Sequence, residues 1–122
     1  MSQKILVIED NDKNRLLIRD ILRYYGYEVL EATDGEEGIK MAKEHKPALI
    51  FMDMQMPVMN GFNAINILKG DAETKDIKII AVTSFAMKEE KEIIMKAGAD
   101  DYMAKPIDTR QLPLMMKRVL GN

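Results

Sequence analysis

The stretch "ALIFMDMQMP", residues 48–57, decides the fold. Ala48 through Met52 are uncharged and mostly bulky, and they run straight into Asp53. A strand buried on both faces reads as a continuous apolar run, whereas a half-buried strand alternates. The run is short and stops at a polar turn, which favours strand over buried helix. Such a strand belongs in the interior of a parallel sheet. It remains to explain why a fully buried strand ends on a charge.

Working outward, the same signature recurs. "KILVIED" (4–10) is a first strand ending in two acids, "YEVLEA" (27–32) a second, "KIIAVTS" (78–84) a fourth and "DYMA" (101–104) a short fifth. Helical spacing fills the gaps. From about Asn11 to Tyr25, Leu17, Ile18, Ile21 and Leu22 make one inward face, and Gly26 stops the helix at C′. "DGEEGIKMAKEH" (34–45) turns Ile39 and Ala42 inward, with Gly38 allowing close approach to the sheet. Gly61 to Lys69 turns Phe62, Ile65 and Leu68 inward, and Met87 to Ala97 ends at Gly98. The last helix is expected from about Thr109 to Leu120, with Asp108 as N-cap. Pro113 lies deep for a first turn, so an irregular or later start is expected.

Strands alternating with helices imply a parallel sheet covered on both faces, because parallel neighbours need right-handed crossovers. All strand C-termini then share one edge. Glu9 and Asp10 end strand one, Asp53 ends strand three, Thr83 and Ser84 end strand four, and Lys105 and Pro106 follow strand five. Ligands in open parallel sheets sit at this edge, at the switch point of strand order. In order 2-1-3-4-5, strands one and three straddle it. Asp53 is therefore a rim residue. Singly, each residue has an ordinary reading. Asp10 or Asn11 caps a helix, Asp53 makes a turn before Pro57, Thr83 is a β-branched strand residue and Lys105 is solvated. Jointly they are a pocket. Carboxylates ~5 Å apart repel by ~3 kcal/mol per pair at an effective dielectric of 20. A divalent cation relieves this, and all-oxygen ligands suit Mg²⁺, with Mn²⁺ as the alternative.

Composition bounds the remaining choices. The 122 residues fit one domain, 1–122. A net charge of −2 excludes a dominant electrostatic grip on nucleic acid or on anionic membrane. With no cysteine there is no disulfide framework, thiolate nucleophile or Cys-ligated zinc, which is compatible with a cytoplasmic setting. No apolar run reaches transmembrane length, and the N-terminus turns acidic too early for a signal peptide. The eleven methionines are scattered and read mostly as core filler.

Four motifs, "VIEDN" (7–11), "MDMQMPVMNG" (52–61), "VTSFA" (82–86) and "GADDYMAKPI" (98–107), stand in this order. With them the chain resembles the CheY-like receiver domains of bacterial two-component response regulators along essentially its whole length. "TSFAMK" and "DYMAKPI" are similar to single-domain regulators of the DivK kind and to receivers within hybrid kinases.

The resemblance implies a flavodoxin-like (βα)5 three-layer sandwich and a signalling phosphoacceptor. Such a protein would not be an enzyme toward other substrates and would catalyse only its own phosphorylation and dephosphorylation. Asp53 would accept a phosphoryl group from a histidine kinase or phosphotransfer protein. Mg²⁺ would be held by Asp10, Asp53 and the backbone carbonyl of Gln55, with Glu9 acting through water. Lys105 would pair with a phosphoryl oxygen, Thr83 would bond another, and Tyr102 would be the mobile aromatic of the switch. The Lys105–Pro106 bond would be cis, and Gln55 and Phe85 would tune dephosphorylation. Gly61 suits the loop after strand three, where no Cβ is wanted. Arg15, Leu16 and Arg19 on the first helix would dock the kinase. An effector domain after Asn122 is not expected, and output is expected through protein contact or phosphate relay. The downstream partner would meet the fourth helix, fifth strand and fifth helix, with the chain a monomer or a phosphorylation-dependent dimer.

Three other readings fit the residues less well. An aspartyl phosphatase of the haloacid dehalogenase kind wants an acid two residues after its nucleophile, where this chain has Gln55, and a cap domain. A flavodoxin-like FMN binder wants a hydroxyl-rich phosphate loop after strand one. A receiver-like binding module without phosphorylation would not need the intact set of Glu9, Asp10, Asp53, Thr83 and Lys105.

Overall fold

The computed structural model describes residues 3–56, 59–84 and 87–121. Five strands alternate with five helices: β1 (Lys4–Ile8), α1 (Asp12–Tyr24), β2 (Glu28–Ala32), α2 (Gly35–His45), β3 (Leu49–Asp53), α3 (Gly61–Lys69), β4 (Lys78–Thr83), α4 (Lys88–Ala97), β5 (Asp101–Ala104) and α5 (Gln111–Leu120). All pairings are parallel and the order is β2-β1-β3-β4-β5. This is the expected flavodoxin-like sandwich.

The two faces follow from the strand period of two. Ile5 and Val7 point to one side, where they meet Ile18 and Leu22 of α1 and Leu112 and Met116 of α5. Leu6 and Ile8 point to the other, toward Ile39 and Ala42 of α2, Ile65 and Leu68 of α3 and Ile94 of α4. Every residue of β3 is buried, as its unbroken apolar run requires. Six methionines (Met52, Met54, Met56, Met103, Met115, Met116) are core residues, while Met87 and Met95 are exposed.

Two local expectations are corrected. Leu17 is 38% exposed, as open as Leu16 at 37%. The buried stripe of α1 is narrow, centred on Ile18 and Leu22, and Leu17 lies one residue, about 100°, off its centre. The last helix starts at Gln111, the later start that Pro113 calls for, but Asp108 is not its N-cap. Asp108 instead closes a preceding turn, its side chain accepting the Arg110 N–H and its carbonyl the Gln111 N–H. Pro113 is thereby the third residue of α5, where no intrahelical donor is required.

Gly38 is the close approach of α2 to the sheet. A Cβ there would stand 2.7 Å from Ile8 Cγ1, with Ile8 fully buried. Gly38→Ala should therefore cost about 1–3 kcal/mol by overpacking, read as a lower urea midpoint. Ile8→Val in the same chain, which removes the crowding Cδ1, should recover part of it; no recovery would place the cost elsewhere.

Candidate acid pocket at the strand ends

The register brings the predicted residues to one edge. Ile8 lies opposite Met52, Asp53 opposite Val82 and Thr83 opposite Ala104. Glu9, Asp10 and Asp53 therefore converge, and each offers a carboxylate oxygen within 4.8 Å of the others. Asn11 caps α1 by accepting the Asn14 N–H at 3.0 Å, so Asp10 is not needed as the cap. The Asn11 N–H donates to Glu9 Oε2 at 3.2 Å and fixes that side chain. Behind Asp53 the chain doubles back so closely that a Cβ on Gly61 would lie 2.8 Å from Met54 Cα and 2.9 Å from the Asp53 carbonyl oxygen. Only glycine fits that position without moving backbone.

Lys105 closes the pocket. Its Nζ donates to Asp53 Oδ1 at 3.1 Å and lies 3.1 Å from Glu9 Oε1, an ion pair without hydrogen-bond geometry. The Lys105–Pro106 bond is cis. Glu9 and Asp53 are 2% and 1% exposed, so their electrostatics are strong. Burial, then the adjacent Asp53 carboxyl, pushes Glu9 up to about 7. Burial works against ionised Asp53 too, but hydrogen bonds from the Glu9 carboxyl, the Gln55 N–H and Lys105 outweigh it and hold Asp53 below its ordinary value. For Lys105, burial is likewise outweighed by the two carboxylates, which raise it. Without a cation, Glu9 thus keeps its proton to a higher pH than an ordinary carboxyl, and Asp53 loses its proton at a lower one.

The pocket fits Mg²⁺. Asp53 Oδ2 is buried and receives no N–H, so that only a proton kept on the neighbouring Glu9 carboxyl, or a cation in its place, neutralises it. The donors are all hard oxygens.

Gln55 holds a role that its sequence position does not announce. Its backbone N–H donates to Asp53 Oδ1 at 3.1 Å. Its side-chain Nε2 donates to Thr83 Oγ1 at 2.9 Å, and its Oε1 accepts the Ser84 N–H at 3.0 Å. Both ends of the amide are engaged, tying the loop after β3 to the end of β4. Tyr102 is half-buried, with Lys91 Nζ 4.7 Å from its ring centroid. Of the three docking candidates, Leu16 is exposed, Arg19 bonds Asp20, and Arg15 is turned inward. Phe85 lies outside the described residues.

Comparison with known proteins agrees with this geometry. The chain is 38% identical over 122 residues to the polar-differentiation response regulator DivK of Brucella anthropi, covering 100% of this chain and 99% of that one. The receiver domain of the sensor histidine kinase PA1611 from Pseudomonas aeruginosa PAO1, whose structure has a magnesium ion coordinated in the active site cleft, is 32% identical with a TM-score of 0.91 and full coverage of both chains. The chemotaxis protein CheY4 of Vibrio cholerae is 28% identical with a TM-score of 0.92, covering 98% of this chain and 99% of that one. The family described as response regulator receiver domain matches residues 5–117. With its acids, lysine and hydroxyl gathered at the switch point of such a fold, the chain belongs to the response regulator receiver domains of two-component signalling.

Proposed function

We propose that residues 1–122 form one receiver domain working as a cytoplasmic, phosphorylation-dependent switch. The observation that carries this reading is the cluster of Glu9, Asp10 and buried Asp53, closed by Lys105. The phosphoryl donor is a phosphohistidine of a histidine kinase or phosphotransfer protein. An Asp53 carboxylate oxygen attacks phosphorus, the phosphorus–nitrogen bond breaks, and the histidine nitrogen leaves with the electron pair. Phosphoryl transfer asks little covalent chemistry of the protein, so these residues act by positioning and charge. Asp10, Asp53 and the Gln55 backbone carbonyl would hold Mg²⁺, or Mn²⁺ in its place, with Glu9 acting through water. The bound ion would neutralise charge on the phosphoryl oxygens. Lys105 already touches Asp53 and needs only a small shift to reach a phosphoryl oxygen.

Incubation with acetyl phosphate and Mg²⁺, followed by intact mass measurement, tests the reading. One phosphoryl adduct per chain is expected. Rapid release of phosphate with no adduct would instead favour a phosphatase. The engaged Gln55 amide, at the position where that chemistry wants a free acid, argues against turnover.

Kinase docking rests on exposed Leu16, with Leu17 beside it. Leu16→Asp should slow phosphotransfer from the kinase and leave transfer from acetyl phosphate unchanged. Equal loss with both donors would mean damage to the pocket or the fold.

The output follows from Thr83. A hydrogen bond to a charged phosphoryl oxygen is worth about 1.5–3 kcal/mol, against about 1 kcal/mol for the neutral bond from Gln55. Thr83 therefore moves toward the phosphoryl group and vacates space that the Tyr102 ring can enter. The surface of α4, β5 and α5 offered to a downstream protein changes, and a partner that prefers this form shifts the equilibrium further. Beryllofluoride with Mg²⁺ should shift amide signals around Thr83 and Tyr102 and along α4. Shifts confined to the pocket lining would defeat this route of transmission.

A further inference from the structure

Arg15 spends its guanidinium on three elements. Nη1 donates to the Glu9 carbonyl at 3.1 Å, at the end of β1. Nε donates to Glu31 Oε1 at 3.2 Å, on β2. Nη2 donates to Asp12 Oδ1 at 2.7 Å, in the first turn of α1. The side chain is only 12% exposed, so little of it is offered to a docking partner. We infer that Arg15 is a positioning residue for the acid pocket, holding the Glu9–Asp10 peptide so that both carboxylates face Asp53. This rests on the metal-assisted reading of the pocket above.

The Glu9 carbonyl and the Asp10 N–H belong to one planar peptide. Clamping the oxygen fixes the plane from which the Asp10 side chain departs. On the same residue the Asn11 N–H fixes the Glu9 carboxylate. Backbone and side chain of Glu9 are thus each held by one bond from the start of α1, and the fork ties that point to β2. A lysine cannot replace this, because its single ammonium lacks the planar fork that reaches three acceptors at once.

Coulomb's law works in the opposite direction. A cation beside a cation site weakens it, so deletion of Arg15 by charge alone would tighten Mg²⁺ binding. Positioning predicts weaker binding. The two accounts differ in sign.

The test is a Mg²⁺ titration of wild type, Arg15→Ala and Arg15→Lys, followed through the backbone amide shifts of Asp10, Asn11 and Asp53 at one ionic strength and one pH above the Glu9 transition. Both variants should bind roughly 10-fold more weakly, the scale of losing a group that orients metal ligands. Arg15→Lys keeps the charge, so its loss cannot be Coulombic. It also decides the matter if Arg15→Ala fails to fold. Arg15→Ala binding as tightly as wild type or tighter would overturn the inference, as would Arg15→Lys matching wild type. A defect confined to phosphotransfer from the kinase would also overturn it, in favour of docking. A wild-type protein that shows no Mg²⁺ response would instead defeat the reading of the pocket, and this inference with it.

Discussion

Asp53→Asn should abolish the phosphoryl adduct and, at a pH above the Glu9 transition, make the metal-free protein more stable. The first effect follows from chemistry: an amide has no carboxylate oxygen to attack phosphorus. The second follows from the pocket. Asparagine keeps the shape, and its Oδ1 still accepts from Lys105 Nζ and from the Gln55 N–H, both 3.1 Å away in the wild type. What disappears is the carboxylate that, after burial, most disfavours ionisation of Glu9. Glu9 then has no ionised neighbour on β3 and can pair with Lys105 as a full carboxylate. Intact mass after acetyl phosphate and Mg²⁺ should show no adduct, and the urea midpoint should rise. Opposite signs for activity and stability exclude misfolding as the cause. An adduct formed at the wild-type rate would show that the acceptor lies elsewhere.

How much of this was legible depends on the range of the interaction. β1, β3 and β4 announce themselves because a strand buried on both faces leaves an unbroken apolar run, and the residue after such a run must stand at the sheet edge. Parallel topology gathers those edges, so Glu9, Asp10, Asp53, Thr83 and Lys105 could be grouped before any coordinates. Glycines 38 and 61 were legible as close approaches for a related reason, since each sits where an element must pass near backbone or a buried side chain. The inward face of α1 was read one residue too wide, because a helix against a twisted sheet buries a stripe whose edge depends on tertiary packing. The engagements of Gln55 and Arg15 left no local trace. Gln55 reaches Thr83 across 28 positions, and Arg15 reaches Glu31 across 16. Neither distance carries a period or a motif. Arg15 looked like a surface docking residue because its polarity suggests solvent, while two of its acceptors are a backbone carbonyl and an acid on another strand. The start of α5 was set by a turn at Asp108 that competes with capping, and a side chain able to do either does not declare which.

Mg²⁺ affinity should depend steeply on pH, with the transition near neutrality. Glu9 is the cause. Its carboxyl is pushed from 4.5 to about 7, first by burial and then by the proximity of Asp53. The Glu9 proton has to leave before the cluster presents its full negative charge to a cation. Below about 7 the apparent dissociation constant should therefore rise about tenfold per pH unit, and above it the dependence should flatten. Binding in weak buffer near the transition should release up to one proton per ion. Stability obeys the same linkage with a definite sign. Between 4.5 and about 7 the folded chain keeps the Glu9 proton that the unfolded chain has given up, so metal-free stability falls as pH rises through this window. Asp53 acts in a different window: held below its ordinary 3.8, it contributes stability that is lost as pH falls further. The metal-free protein should accordingly be most stable on the acid side, near the gap between these windows, and Mg²⁺ should move the maximum upward by favouring the deprotonated pocket. Urea midpoints measured across this range with and without Mg²⁺ check both signs. In Asp53→Asn the Glu9 transition should move to lower pH and the metal-free decline toward neutrality should shrink, since the neighbouring carboxyl that helps to hold the proton is gone. A metal-free stability that rises steadily to pH 8 would mean that Glu9 is ionised throughout this range.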